Sequence, residues 1–202
     1  MTGQPNSIVE TVGGVRGMVE TSLPPLAFVV AYIITGNDVA PSAIFAVIIA
    51  VILSIARFAR RETPQFALSG LFGIAIAAFF ATKTGKAENF YLPGLLLNIG
   101  YATAFLVSIL VRWPLVGVIA AHLQGDREWR EDSERMTAYN RASWLWVLIF
   151  GARIAVQLPL YLASAVVALG IARTAMGIPL FALGLWFTYQ LVRHHHPMTK
   201  EA

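Results

Sequence analysis

The chain has 202 residues, of which 57% are hydrophobic and 13% charged, with a formal net charge of +4. This charged fraction is about half that of soluble domains, which argues against a soluble globular fold. The absence of cysteine excludes disulfides, thiolate catalysis and cysteine-ligated metal. Nucleic-acid binding is not expected either, because no aromatic-interleaved basic patch accompanies the positive charge.

Long runs without a charged residue recur along the chain. Four of them separate Asp38 from Arg57, Glu62 from Lys83, Glu88 from Arg112 and Arg173 from Arg193. Each run approaches the length of about 20 apolar residues that a helix needs to cross a hydrocarbon core about 30 Å thick. The sequence therefore predicts an all-α, polytopic membrane helical bundle of about six transmembrane helices.

The predicted segments follow in chain order. Residues 1–19 form a polar tail or an interfacial helix, residues 20–192 the transmembrane domain and residues 193–202 a cytoplasmic C-terminal tail. The spans are expected at about residues 24–36, 40–56, 66–82, 91–111, 142–163 and 174–192. Pro24 and Pro25 would then lie near the start of the first span, where a missing N–H costs little. Residues 164–173 are expected to form a connection.

One strongly charged segment interrupts this pattern. Pro114 opens an apolar stretch to Leu123 that is too short to span a membrane, so we expect a short interfacial or buried helix. Residues 124–141 follow, with charges of alternating sign, as a cytoplasmic loop. Three of its arginines, Arg127, Arg130 and Arg135, form a candidate surface for a protein partner. A solvated linker is the alternative.

The distribution of basic residues predicts the orientation. With six spans and a cytoplasmic N-terminus, eleven lysines and arginines lie inside and three lie outside. The inner ones are Arg16, Arg57, Arg60, Arg61, Arg112, Arg127, Arg130, Arg135, Arg141, Arg193 and Lys200, and the outer ones are Lys83, Lys86 and Arg173. Both termini are therefore expected in the cytoplasm.

Two Leu-Pro segments are alike. Leu23-Pro24-Pro25-Leu26 precedes Tyr32 as Leu92-Pro93-Gly94-Leu95 precedes Tyr101. Because the two would open spans that run in opposite directions, they suggest a three-plus-three inverted repeat, an arrangement found in many secondary transporters. Two helices that begin with Leu-Pro independently would give the same pattern.

Arg153 is the candidate for an intramembrane polar site. It lies about ten residues into the fifth span, where a charged side chain is costly and usually faces the bundle interior. Gln157 shares its helix face, and Asn98 and Glu20 are candidate partners from other spans. Three interpretations stay open, namely an anion or proton site, a buried clamp between helices, and an arginine that snorkels to an interface.

Motifs for enzymes and metals are missing from the sequence. It contains no nucleotide-binding loop, no nucleophile elbow, no zinc-protease motif and no paired carboxylates. His194, His195 and His196 point in different directions on a helix and would chelate a metal poorly. We therefore expect no catalytic residues, no metal site and no cofactor.

Several stretches together carry a family resemblance. They are Gly14-Val15-Arg16-Gly17, Glu20, Leu23-Pro24-Pro25, Arg60-Arg61-Glu62, Asn89-Phe90-Tyr91-Leu92-Pro93-Gly94 and Arg112-Trp113-Pro114-Leu115. They resemble an actinobacterial integral-membrane family catalogued as domain of unknown function 3159. That family is distantly similar to the intracellular septation protein A family, which is associated with envelope maintenance and division.

The resemblance implies a protein of the bacterial inner membrane that supports the envelope or division through protein or lipid partners. The alternative, argued from Arg153, Asn98 and the repeat, is a small-solute or ion transporter or channel. An enzyme acting on a lipid is a third class. In every case we expect the lipid bilayer as a partner and no nucleic acid. The sequence leaves the oligomeric state open, and a homo-oligomer is one of the possibilities.

Overall fold

A computed structural model describes residues 14–60, 64–124 and 129–193. The helices of these residues are α1 (Gly14–Ile34), α2 (Val39–Ala59), α3 (Pro64–Thr84), α4 (Leu92–Leu110), α5 (Leu115–Gln124), α6 (Ser133–Leu162), α7 (Val166–Ala175) and α8 (Ile178–Arg193). A short 3-10 helix, Ala87–Phe90, connects α3 to α4. The described residues contain no β-strand, which confirms the predicted all-α class.

Four helical segments are long and apolar enough to cross a membrane. They are Val39–Ala59, Leu92–Leu110, Ser133–Leu162 and Val166–Val192, and the last of them joins α7 to α8. Two shorter apolar segments, Ser22–Ile34 and Leu68–Thr84, lie in α1 and α3. The chain therefore has the helices of a membrane protein, while the number of six spans stays a prediction.

The first helix begins well before the predicted start of the first span. Helix α1 starts at Gly14, so Pro24 and Pro25 lie in its interior and not near its first turn. Both prolines are buried. Each removes one backbone donor and frees a carbonyl four residues earlier, but the fixed φ of proline is itself compatible with a helix. The second Leu-Pro segment does open a helix, α4. The two segments thus occupy different positions, and the inverted repeat stays a prediction.

The expected connection at residues 164–173 is wrong, because most of it forms α7. The chain turns at Ser164, whose φ of 51° is in the left-handed region, and α7 starts at Val166. A second break at Met176 and Gly177 separates α7 from α8. The apolar residues that follow the first turn favour a new helix over an open loop.

The chain divides into two compact units, and the boundary falls within α6. The first unit contains the described residues up to Gly94 and Gln157–Ile178. Its core joins small side chains from α2 and α3 to an aromatic cluster. The buried members include Ala43, Ala46, Ala77, Ala81, Phe28, Phe90 and Tyr91. Small residues allow two helix backbones to approach closely, which is how helices associate in lipid.

The second unit contains Leu95–Val156 and the described residues from Pro179 onwards. Its core is built from larger side chains around Trp146 of α6. The ring of Trp146 lies 5.2 Å from that of Phe181, and its Nε1 donates a hydrogen bond of 3.1 Å to Thr188. Gly184 lies against Ile149, and a Cβ there would come within 2.5 Å of it. Helix α8 is thereby fixed against α6 within this unit.

Candidate functional site

Arg153 continues the buried face of α6. Trp146, Ile149 and Phe150 are buried on that face, and Arg153 follows at helical spacing. The arginine itself is half-buried. Its Nε atom is fully buried, and among the described residues no group accepts a hydrogen bond from it. Arg153 therefore follows the apolar face of α6 with at least one of its five donors, the Nε, unsatisfied.

Aromatic contacts fix the register of α4 against α6 in the second unit. The rings that take part are Tyr101 and Phe105 from α4 with Trp146 and Phe150 from α6. The ring centroids of Tyr101 and Phe150 are 5.3 Å apart, and those of Phe105 and Trp146 are 6.1 Å apart. In these pairs the residue number increases along α4 while it decreases along α6, so the two helices are antiparallel. Continued by one turn on each helix, this register predicts that Asn98 of α4 is level with Arg153 of α6.

Asn98 is buried, with 6% of its surface exposed. It lies on the α4 face that also carries Ala102 and Phe105, both packed against the core of the second unit. An amide at this position is able to donate and to accept hydrogen bonds. Asn98 and Arg153 thus belong to the same unit and to facing helices.

Acidic residues of the second unit lie far from Arg153. The described ones are Glu131, Asp132 and Glu134, all at the start of α6 or just before it. Glu134 precedes Arg153 by nineteen positions, which corresponds to about 28 Å along a helix. Within this unit the described residues therefore provide no carboxylate to balance the charge of Arg153.

Gln157 lies one turn beyond Arg153 on the same helix and is assigned to the first unit. Only 1% of its surface is exposed, and its Nε2 has no acceptor among the described groups. Gln157 is therefore a buried amide of the first unit, and we do not count it as part of the Arg153 site in the second unit.

Glu20 was a candidate partner of Arg153, but the structure gives it other partners. Its carboxylate accepts hydrogen bonds of 2.9 Å from Arg57 Nε and 2.9 Å from Arg60 Nη1, both at the end of α2. Its side chain is 11% exposed and that of Arg57 13%. Glu20 precedes the apolar segment Ser22–Ile34, so this cluster lies at the end of a span.

The charge cluster changes the acidity of Glu20. Burial raises the pKa of this carboxyl, but hydrogen bonds from Arg60 and Arg57 and the charges of both arginines outweigh burial. The pKa of Glu20 therefore lies below its ordinary value of 4.5. The carboxylate is ionised at neutral pH and joins α1 to α2.

A second set of polar contacts in the first unit was not predicted from the sequence. Tyr161 donates a hydrogen bond of 2.5 Å to Asn89 Oδ1, and Asn89 Nδ2 donates one of 2.8 Å to Thr84. Ser164 donates to Glu88 at 3.0 Å. These bonds tie the 3-10 helix to the end of α6. Their partners lie far apart in the sequence, so no local pattern indicates them.

Two glycines allow α4 and α7 to interlock. A Cβ on Gly94 would lie 1.9 Å from the Arg173 guanidinium, and a Cβ on Gly170 would lie 2.7 Å from the hydroxyl of Tyr91. Gly94 of α4 thus contacts a side chain of α7, and Gly170 of α7 contacts Tyr91, the residue that precedes α4. Burial raises the pKa of Tyr91 above its ordinary value, although the charge of Arg173 lowers it in part. The phenol is therefore neutral.

Two of the three arginines in the candidate partner surface already have partners. Arg130 lies over the ring of Trp113 at 4.1 Å, and Arg135 pairs with Asp132 at 3.4 Å. Arg127 lies outside the described residues. Trp129 is buried against Gly117, whose added Cβ would come within 2.6 Å of its ring. From Trp129 onwards the charged segment is therefore an ordered part of the second unit.

The chain belongs to the family described as "Protein of unknown function (DUF3159)", whose profile matches residues 12–199. This confirms the family that the sequence motifs indicated. No curated protein matches the chain, and no solved structure matches it either. The similarity to the septation protein A family therefore stays a prediction.

Proposed function

We propose that this DUF3159 protein is a six-span protein of the bacterial cytoplasmic membrane that binds and moves a small solute at Arg153. The six spans are the apolar segments of α1 (Ser22–Ile34) and α3 (Leu68–Thr84), then α2, α4, α6, and α7 together with α8. The segments of α1 and α3 are shorter than 18 residues, which is less than about 27 Å of helix. Where their apolar parts are shorter than the hydrocarbon core, the bilayer thins locally.

Orientation follows from the basic residues. Eleven of the fifteen lie on the side assigned to the cytoplasm, and two, Lys83 and Lys86, lie on the other. Arg153 and Arg173 belong to neither side, because they lie in the apolar parts of α6 and α7. The positive-inside rule then puts both termini in the cytoplasm. The ion pairs of Glu20 with Arg57 and Arg60 lie at the cytoplasmic end of α2 in this arrangement.

The observation that carries the solute site is the buried Nε atom of Arg153, which has no acceptor among the described groups. A charged residue at the centre of a transmembrane helix costs about 2.5–3.5 kcal/mol on insertion scales, and such residues usually mark substrate or ion pathways. If Arg153 served only to join two helices, groups of the protein should accept its hydrogen bonds. The Nε atom has no such acceptor among the described groups, which favours a bound solute over a clamp.

A role in envelope maintenance or division through protein or lipid partners is the second candidate. The folded charged segment supports it, since Trp129 anchors this segment while Arg130, Glu131 and Asp132 stay exposed. An ordered surface with both signs of charge is more suitable for a specific partner than a solvated linker. Neutralising the three arginines of this segment should then weaken its association with an envelope or division protein.

Reconstitution into proteoliposomes tests the solute site. The wild-type protein should pass a small solute across the membrane, and Arg153→Leu should abolish this flux while keeping its helical content by circular dichroism. Leucine is expected to be tolerated because an apolar side chain suits the surrounding helices. A folded Arg153→Leu variant with undiminished flux would contradict the proposed site, and the partner role would then be preferred.

A further inference from the structure

We infer that the solute bound at Arg153 is a monovalent anion, which provides the counter-charge that the chain itself lacks in its apolar helices. The inference rests on the proposed function and specifies its substrate class. It is carried by the positions of the acidic residues and by the buried, unsatisfied Nε of Arg153.

Acidic residues are confined to the ends of the spans. The eleven are Glu10, Glu20, Asp38, Glu62, Glu88, Asp126, Glu128, Glu131, Asp132, Glu134 and Glu201. None lies between Glu88 and Asp126 or between Glu134 and Glu201. Helices α4, α7 and α8 therefore have no acidic residue, and α6 has one only in its first turn. Arg153 consequently brings a positive charge into the part of α6 that has no acidic residue of its own.

The described acidic residues of the first unit have their own partners. Glu20 pairs with Arg57 and Arg60. Asp38 accepts a hydrogen bond of 3.2 Å from the backbone of Ala40 as the N-cap of α2, and Glu88 accepts one from Ser164. Those of the second unit lie at the start of α6, about 28 Å along the helix from Arg153.

The hydrogen-bonding chemistry of Arg153 favours a solute that accepts hydrogen bonds. A guanidinium has only donors and stays charged in proteins. Arg153 Nε is buried and lacks a described acceptor. A cation would be repelled by Arg153, and a neutral solute would leave its charge unbalanced in a low dielectric. One negative charge neutralises the site and accepts hydrogen bonds, so halide, nitrate or a small carboxylate fits best.

Two isosteric substitutions test the inference, because each would place a carboxylate of the protein itself close to Arg153. Gln157→Glu puts it one turn from Arg153 on the same helix, and Asn98→Asp puts it on the facing helix at the same level. Either carboxylate should take the place of the anion. We expect both variants to fold and to lose their response to anions, whereas Arg153→Lys should keep part of it.

The first measurement is anion-dependent stability of the full-length protein in neutral detergent. At a hundredfold excess over the Kd, chloride, nitrate or acetate should raise the Tm of the wild-type protein by about 5 °C or more. Gluconate at the same ionic strength serves as the bulky control. Arg153→Gln, Gln157→Glu and Asn98→Asp should show no such rise. An equal rise in Arg153→Gln, or no rise in the wild-type protein, would overturn the inference.

Flux separates this inference from the function on which it rests. Proteoliposomes that contain the wild-type protein should pass the same anions faster than sodium, potassium or glycerol. If a cation or glycerol moves instead and its flux depends on Arg153, the anion inference fails and the transport function stands. If the anions stabilise the protein but nothing crosses the membrane, the anion site stands and the transport function fails.

Discussion

Glu20→Gln should destabilise the protein, because Glu20 is the shared acceptor of two arginines. The bond to Arg57 joins side chains that are 11% and 13% exposed, and a hydrogen bond of this charged kind contributes about 1.5–3 kcal/mol. Arg60 is 37% exposed, so its share is discounted to about 0.5 kcal/mol. Because glutamine keeps one acceptor, we expect a loss of about 2 kcal/mol in the free energy of unfolding.

Thermal unfolding of the purified protein measures this loss. For a chain of this size 2 kcal/mol corresponds to a decrease in Tm of about 4–8 °C. Glu88→Gln is the matched control, since its carboxylate accepts from an exposed serine, and should change stability by less than about 0.5 kcal/mol. A double-mutant cycle of Glu20→Gln with Arg57→Gln should show coupling. If Glu20→Gln and Glu88→Gln unfold at the same temperature, the reasoning is refuted.

The same pair predicts a dependence on pH. The pKa of Glu20 is lower in the folded protein than its ordinary value of 4.5, so its contribution is fully present above that pH. It is lost as the pH falls through the lower pKa of the folded state. The difference in stability between the wild-type protein and Glu20→Gln should therefore be constant near neutral pH and decrease below about pH 4.5.

Three further predictions concern packing and topology. Gly117→Ala should cost about 1–3 kcal/mol because its Cβ would come within 2.6 Å of the buried ring of Trp129, whereas Gly100→Ala, with no neighbour within 4 Å, should be neutral or stabilising in a thermal-unfolding assay. Trp129→Ala should cost about 3–5 kcal/mol in the same assay, and a loss below 1 kcal/mol would show that Trp129 does not anchor the charged segment. Reporter fusions after Asp38 and after Arg61 should localise to opposite sides of the membrane, and the same side for both would contradict the topology.

The positions of the long apolar helices could be predicted because the bilayer itself sets the length of an uncharged run. Helix ends could not be predicted as well. Pro24 and Pro25 suggested the start of a helix, yet α1 begins at Gly14, since the conformation of proline does not by itself end a helix. Likewise α7 formed where a connection was expected, because nothing in the sequence signals the turn at Ser164.

Part of the candidate site could also be predicted, because the bilayer restricts where charged residues occur. Arg153 is conspicuous because a charge within an apolar run is rare. The partners of Glu20 lie 37 and 40 residues away, and the bond of Tyr161 spans 72 residues. Such pairings depend on which helices pack together, and a single sequence has no periodic signal for that. The glycines opposite Tyr91 and Arg173 are recognisable only once α4 and α7 are in contact.

The central claim is that a solute reaches Arg153 from water and is negatively charged. The chain has no cysteine, so Asn98→Cys places a single thiol on the facing helix while Arg153 is kept. A membrane-impermeant anionic thiosulfonate should label it faster than the cationic reagent of similar size, and saturating chloride or nitrate should slow the reaction. Leu97→Cys, on the exposed apolar surface of α4, is the lipid-facing control and should stay unlabelled. Complete protection of Asn98→Cys, or faster labelling by the cation, would contradict the account.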